Sequence, residues 1–128
     1  MRYFPLIPRL RHMYGRRKLA SLMTWHASNR SMDGVMRHVH DSPAWKHIDS
    51  TWPEFSSDPR HVRLGVAMDG VNPYKLMRSK HSTWPVLISN YNIPNWLSTK
   101  KGFVFVSCII PGTYIRCFSY ILYIRIMK

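Results

Sequence analysis

The feature that most constrains the fold is an alternating segment at residues 60–72. Its apolar side chains occupy every second position from Val62 to Met68, and the positions between them run from Arg63 to Asp69. A period of two is typical of a strand with one face packed against a core. The segment is therefore predicted to be a strand that ends at an acidic residue, Asp69.

The Asp69-Gly70 pair has two interpretations. Glycine tolerates a positive φ and aspartate caps its own turn, so the pair is typical of a tight turn. An acid delivered by a strand end is also a candidate catalytic group. The residues alone leave both interpretations open.

The charge balance points to a polyanionic partner. A chain of 128 residues forms one domain at most, and here 19 Lys and Arg face 6 Asp and Glu, a net charge of +13. Such an excess favours nucleic acid first and an anionic membrane second, while a basic surface without any partner is the alternative.

Cysteine usage and hydropathy argue against a secreted or membrane-spanning chain. Cys108 and Cys117 form neither a disulfide framework nor a zinc ribbon, and Cys108 is expected to be a small core residue. Pro5 and Pro8 interrupt the N-terminal apolar run, so no signal peptide is expected. Proline, glycine and arginine residues interrupt the apolar segment 103–127, which therefore does not match a spanning helix.

Residues 9–26 carry an apolar stripe at helical spacing that Gly15 splits into two short helices. The opposite side is basic and is a candidate DNA-phosphate surface, although a charged helix face is also typical of simple solvation. The basic residues are Arg9, Arg11, Arg16, Arg17 and Lys18.

A further helix is predicted to begin at Ser42-Pro43, with serine as the cap and proline in the first turn. Trp45, Ile48 and Trp52 follow at helical spacing and are expected to form one buried face, and Pro53 is expected to end the helix. Stacking on nucleic-acid bases is the alternative role for the tryptophans.

Two more strands are predicted, at residues 84–89 and 103–110, and the second is expected to be central and buried until Pro111-Gly112 ends it. The long connection at residues 70–83 adds Lys75, Arg78 and Lys80 to the candidate DNA-binding residues. The predicted fold class is α+β, with an N-terminal helical region followed by a three-stranded antiparallel meander.

The sequence gives little support to a metal cluster, a phosphate-binding loop or a nucleophilic active site. His38-x-His40, with His47 and His61 further along, lacks an acidic or cysteine partner at a recognised ligand spacing, so a metal cluster is not favoured. Glycine-rich phosphate loops and nucleophile-elbow motifs are absent from the sequence.

Many segments resemble the transposases of plant CACTA-type elements, also called En/Spm-like. The resemblance extends over residues 2–112 and lies in these segments, in order: residues 2–10 (Arg-Tyr-Phe-Pro-Leu-Ile-Pro-Arg-Leu), Trp25-His26, Asp33-Gly34, Arg37-His38, Ala44-Trp45-Lys46, Phe55, Asp58-Pro59-Arg60, Val62-Arg63-Leu64-Gly65, Asp69-Gly70-Val71-Asn72-Pro73, His81-Ser82-Thr83-Trp84-Pro85-Val86, Tyr91-Asn92 and Ile110-Pro111-Gly112.

The resemblance implies an RNase H-like fold, a DNA partner and a nuclear location. It also implies that Asp69 is the first carboxylate of a catalytic acidic triad and a ligand of Mg²⁺. Such chemistry uses two metal ions about 3.5–4 Å apart, which several carboxylates must hold on either side of the scissile phosphate.

The resemblance breaks after Gly112, and no Asp or Glu follows Asp69. We therefore expect a basic helical region at residues 1–59, a partial transposase core at 60–112 and an apolar tail outside the family at 113–128. The chain is interpreted as a fragment that is inactive alone, binds no Mg²⁺ stably and has no small-molecule substrate. The alternatives are a non-catalytic nucleic-acid-binding module, which could pair with full-length transposase, and a peripheral membrane protein.

Overall fold

The computed structural model describes residues 1–71, 82–112 and 118–124, the last of these as a backbone strand only. Its helices are α1 (Ile7–Gly15), α2 (Arg17–Met23), α3 (Trp25–Ser28), α4 (Pro43–Thr51), α5 (Pro53–Ser57) and α6 (Asn95–Ser98), with a 3-10 turn at Val39–Asp41. Its strands are β1 (Arg2–Tyr3), β2 (Val62–Met68), β3 (Ser82–Asn90), β4 (Val104–Gly112) and β5 (Phe118–Ile124).

The strands form one antiparallel sheet in the order β1-β4-β3-β2-β5. The α+β class and the antiparallel meander of β2, β3 and β4 are confirmed. The predicted count of three strands is wrong, because β1 adds a two-residue edge beside β4 and β5 pairs along the whole of β2, from Met68↔Phe118 to Val62↔Ile124. Part of the predicted apolar tail is therefore a strand of the sheet.

One face of the sheet and the N-terminal helices share a hydrophobic core. Leu10 and Met13 of α1 and Met23 of α2 pack with Leu64 of β2 and Phe105 of β4. The even-numbered positions of β2 point to this core, as its period of two predicts. Tyr14 adds a hydrogen bond from its hydroxyl to the Arg60 carbonyl (2.8 Å), which joins α1 to the chain just before β2.

The predicted break at Gly15 and the predicted start of α4 are confirmed, but the second predicted helix is divided at Thr24 into α2 and α3. Arg16, directly after Gly15, is extended and separates α1 from α2. The Ser42 hydroxyl accepts the Trp45 N–H (3.2 Å) and caps α4.

The predicted tryptophan face of this helix is only partly right. Trp45 is buried and Ile48 is half-buried, but Trp52 is 54% exposed. The reason is that Trp52 follows the last residue of α4 in a non-helical conformation, so it no longer follows the helical period. Pro53 then begins α5.

The third strand of the meander also departs from the prediction. β4 continues through Pro111 and Gly112, and only Phe105 in it is buried, whereas Cys108 is half-buried. Because β1 pairs only with Cys108 and Ile109, Pro111 has β3 as its one neighbour among the described strands, and an edge position tolerates its missing N–H.

Candidate functional site

Asp69 directly follows β2 and is exposed. Pairing of β2 with β3 stops at Met68↔Val86 and resumes in the same register at Val71↔Thr83, with N–H···O distances of 2.8 and 2.9 Å. The unchanged register places Asp69 opposite Pro85, which has no N–H to donate. Asp69 therefore lies in a gap of the ladder, and the chain continues in the strand direction through it.

The gap is also closely packed. A Cβ atom on Gly70 would lie 2.8 Å from the indole ring of Trp84, so glycine is the residue that fits there. The backbone on both sides of Asp69 is thus fixed, by Met68 on one side and by Gly70 and Val71 on the other. The carboxylate extends from a well-defined strand end.

The other five carboxylates precede β2 and have local roles. Asp33 pairs with Arg37 and Asp58 pairs with Arg60 (2.6 Å), and these guanidinium groups hold the pKa of both carboxyl groups well below the usual range. Glu54 lies in the first turn of α5.

The remaining two carboxylates, Asp41 and Asp49, face buried groups. Asp41 accepts the backbone N–H groups of Arg37 and His38, both at 3.0 Å. Asp49 pairs with Arg30 (3.2 Å) and with the buried Arg63.

The five predicted DNA-contacting residues of the N-terminal region, Arg9, Arg11, Arg16, Arg17 and Lys18, are all exposed on α1, α2 and the residue between them. The other three, Lys75, Arg78 and Lys80, lie outside the described residues. The structure thus leaves each residue of the first group accessible to a ligand and does not describe the second group.

Part of this surface forms a groove of about 470 Å³ between α1, α2 and the start of β4, which we call the basic groove. Its floor is apolar and its rim carries basic side chains, and the Arg9 guanidinium carbon lies 5.7 Å from the centre of the Phe105 ring. The lining residues are Pro8, Arg9, His12, Met13, Arg16, Leu19, Gly102, Phe103 and Phe105.

A second group of residues packs around the buried Arg63, on the sheet face opposite the core. The Arg63 guanidinium carbon lies 3.9 Å from the centre of the Trp45 ring and 5.4 Å from that of Phe55, and its end pairs with Asp49. The backbone N–H of Arg63 donates a hydrogen bond to the side-chain oxygen of the buried Asn92 (2.8 Å). Arg63 therefore joins α4 and α5 to the sheet.

Three buried histidines extend this packing toward the surface. The rings of His26 and Trp45 lie 5.4 Å apart, and those of His38 and His40 lie 4.4 Å apart. His38 Nε2 is 3.0 Å from the Ile93 carbonyl, and His38 Nδ1 accepts the His40 N–H (3.1 Å), which assigns the neutral tautomer with the proton on Nε2.

Burial disfavours the protonated form of these histidines. Burial, and then the nearby Arg63 charge, lower the pKa of His26 to about 4. Burial also lowers the pKa of His38 and of His40. All three are therefore neutral at pH 7.

Next to the histidines lies a cleft of about 420 Å³, which we call the indole cleft. The rings of Trp25 and Trp96 meet in it at 80° with their centres 5.5 Å apart, and Trp96 is 60% exposed. The lining residues are Trp25, Asn29, Ser31, Arg37, His38, His40, Asp41, Asn95 and Trp96.

A family model described as "Transposase family tnp2" matches residues 33–126, which is well over half of the chain. The chain belongs to the transposase family tnp2. Comparison with curated proteins gave no match, and comparison with solved structures gave none either. The tnp2 match includes Asp69, the strands β2 to β5 and most of the indole cleft, whereas the basic residues of α1 and α2 precede it. The match also continues beyond Gly112, where the resemblance seen in the sequence ends.

The residues present do not fit a two-metal site of the kind implied for Asp69. All six carboxylates of the chain are among the described residues, and these residues contain no group of three or more His, Cys, Asp or Glu side chains placed to hold a metal ion. Among the histidines weighed for a metal, His61 stacks on Phe55 (4.9 Å between ring centres) and His47 is exposed on α4. The role of Asp69 as a catalytic acid and metal ligand stays a prediction.

Sequence reasoning missed several residues of this tnp2 chain that the fold brings together. It assigned Arg63 only to a strand face, gave Trp96 no role, and weighed His40 only as a metal ligand. The signals were present, since a cation inside an apolar alternation and a tryptophan in a polar turn are both uncommon. In the described part of the chain, no helix has the length and apolar character that crossing a membrane requires.

Proposed function

We propose that this chain is a fragment of a DNA transposase of the plant CACTA (En/Spm-like) type, with an incomplete RNase H-like core. It acts in the nucleus, binds DNA through the basic surface of α1 and α2, and does not cut DNA by itself. Membership of the transposase family tnp2 supports the general activity class.

The distribution of the carboxylates carries the proposal. Asp69 stands at the end of a strand whose backbone is fixed on both sides, while the other five acids lie before β2 in helices, turns and ion pairs. Two-metal phosphoryl transfer needs several acids that converge on one phosphate. The chain therefore presents one acid of such a set without the others.

The basic groove supports DNA binding. Arg9, His12 and Arg16 stand at its rim above an apolar floor, and the chain carries a net charge of +13. Phosphate contacts made by such side chains release counterions, so the affinity depends on salt with a log-log slope near −0.9 for each contact.

Fluorescence anisotropy with a labelled duplex, titrated over a range of salt concentrations, tests the binding. We expect weak sequence dependence and a steep loss of affinity with salt, and we expect the slope to fall by about one in Arg16→Gln. Arg60→Gln is the matched control, because Arg60 is also exposed but is already paired with Asp58. An affinity that does not change with salt would contradict the proposal.

A plasmid assay tests the absence of cleavage. Purified protein incubated with supercoiled plasmid and Mg²⁺ or Mn²⁺ should leave the plasmid uncut, and Asp69→Asn should behave identically. Metal-dependent nicking that disappears in Asp69→Asn would overturn the fragment interpretation, because the missing acids would then have to come from a second chain.

A non-catalytic module that pairs with full-length transposase is the second candidate, and one observation favours it. On its outer edge β4 pairs with β1 at Cys108 and Ile109, accepts the Phe4 N–H at the Ser107 carbonyl (2.7 Å) and bridges to Lys101 at Val104. Beyond Ile109 none of the described strands pairs with this edge, so residues 110–112 form its free part. An edge of this kind accepts a strand from another chain. Co-purification with a longer tnp2 transposase, abolished by proline substitutions at the free part of that edge, would support the module.

A further inference from the structure

The indole cleft has an aromatic surface that is open to solvent. The rings of Trp25 and Trp96 pack at 80° to each other, yet Trp96 is 60% exposed, so part of its indole ring remains accessible to a ligand. The side chain of Asn95, the first residue of α6, donates a hydrogen bond to the Arg37 carbonyl (2.5 Å), which ties α6 to the loop on the other side of the cleft. The indole of Trp96 therefore packs against Trp25, and its neighbour Asn95 holds the start of α6 against the facing loop.

The floor of the cleft holds a buried imidazole beside a carboxylate. The His40 side chain is 2% exposed, and its Nε2 lies 3.0 Å from Asp41 Oδ1. The Asn29 backbone also lies against the ring, although neither ring nitrogen makes a well-aligned hydrogen bond within the described part of the chain. Because most buried polar atoms are hydrogen-bonded, this imidazole is suited to meet a polar atom of a ligand.

The charges of the cleft select the ligand class. Asp41 lies on the floor beside His40, and Arg37, with its side chain 61% exposed, stands at the rim in an ion pair with Asp33. A free phosphate would face the Asp41 carboxylate there, and the Arg37 guanidinium at the rim is already paired with Asp33. A planar ring with an amino group suits the site better, because carboxylates accept hydrogen bonds from the exocyclic amino groups of bases.

We propose that the indole cleft binds one unpaired nucleobase of DNA, which stacks on Trp96 and turns its polar edge toward Asp41 and His40. The volume of about 420 Å³ is within the range of about 300–1,000 Å³ that small-molecule sites occupy. A base inside a duplex is stacked and paired, so only an overhang, a bulge or a strand end supplies this ligand. The inference rests on the proposed function, since it gives the DNA-binding chain a preference for one kind of DNA.

The test compares a blunt duplex with the same duplex carrying a single-stranded cytosine overhang, by fluorescence anisotropy at one salt concentration. The full chain should bind the overhang duplex more tightly, and Trp96→Ala should reduce that preference about tenfold while binding to the blunt duplex stays the same. Trp52→Ala is the matched control, because Trp52 is 54% exposed and lies at the end of α4, outside the cleft.

The outcomes separate the two proposals. Equal binding of both duplexes by the unchanged protein, or the same loss in Trp96→Ala and Trp52→Ala, overturns the cleft proposal and leaves DNA binding in place. Failure to bind either duplex overturns the proposed function as well. A thymine overhang, which lacks an exocyclic amino group, should be bound more weakly than cytosine, and an equal affinity would contradict the roles given to Asp41 and His40.

Discussion

The two ends of β2 carry charged residues in opposite environments. Arg63 and Asp69 share one face of the strand by alternation, yet Arg63 is 3% exposed and Asp69 is exposed. At the first end, Trp45 of α4 and Phe55 of α5 cover the face and Asp49 pairs with the guanidinium. At the second end, the ladder opens opposite Pro85.

This difference shows that two residues on the same face of a strand can have different roles. The role depends on whether other elements of the fold cover the side chain. A buried ion pair needs its partner, because an uncompensated buried charge is costly. At an exposed position, such as that of Asp69, a substitution usually changes stability little. We call the two regions the Arg63 end and the Asp69 end.

The largest effect is expected at the Arg63 end. Arg63→Ala removes the guanidinium from between Trp45 and Asp49, and we expect a loss of about 3–5 kcal/mol in the free energy of unfolding. Urea denaturation followed by tryptophan fluorescence measures it. Arg60→Ala, which breaks the exposed pair with Asp58, should leave the midpoint nearly unchanged. Equal midpoints for the two variants would remove the distinction between the two ends.

A pH dependence is expected from His26, which packs on Trp45 at the Arg63 end. Its pKa is about 4 in the folded chain and 6.5 when unperturbed, so the unfolded chain binds more protons between these values. The contribution of neutral His26 to the free energy of unfolding is complete above pH 6.5 and is lost as the pH falls toward 4. The loss amounts to about 3 kcal/mol, at roughly 1.4 kcal/mol per pKa unit.

Urea titrations at several pH values between 4 and 7 measure this slope. His26→Gln should flatten it, although His38 and His40, whose pKa values burial also lowers, retain part of it. His12→Gln, at an exposed position of α1, should not change it. The explanation fails when His26→Gln and the unchanged protein show the same slope.

The smallest effect is expected at the Asp69 end. Asp69→Asn should change the free energy of unfolding by no more than about 0.5 kcal/mol, as is usual for exposed substitutions. DNA affinity should stay the same or rise slightly, because one negative charge is removed from a basic chain. Denaturation and anisotropy on the same sample measure both. A loss of several kcal/mol would show that Asp69 is a structural residue like Arg63.

The sequence by itself determined the elements that depend on neighbours along the chain. The period of two gave β2, the helical period gave α1 and α2, and Ser42 fixed the start of α4 through its own hydroxyl. The meander followed from three such strands in succession. These predictions succeeded because alternation, caps and breaks act over a few residues.

Only the tertiary structure decided which residues meet. Trp25, His40 and Trp96 come from three separate segments and form one cleft, and β5 pairs with β2 from the far end of the chain. Arg63 and Asp69 have the same place in the alternation, and the packing of α4 and α5 alone buries one of them. Contacts of this kind depend on how helices cover a sheet, and the periodicity of a strand carries no information about which helix will cover it.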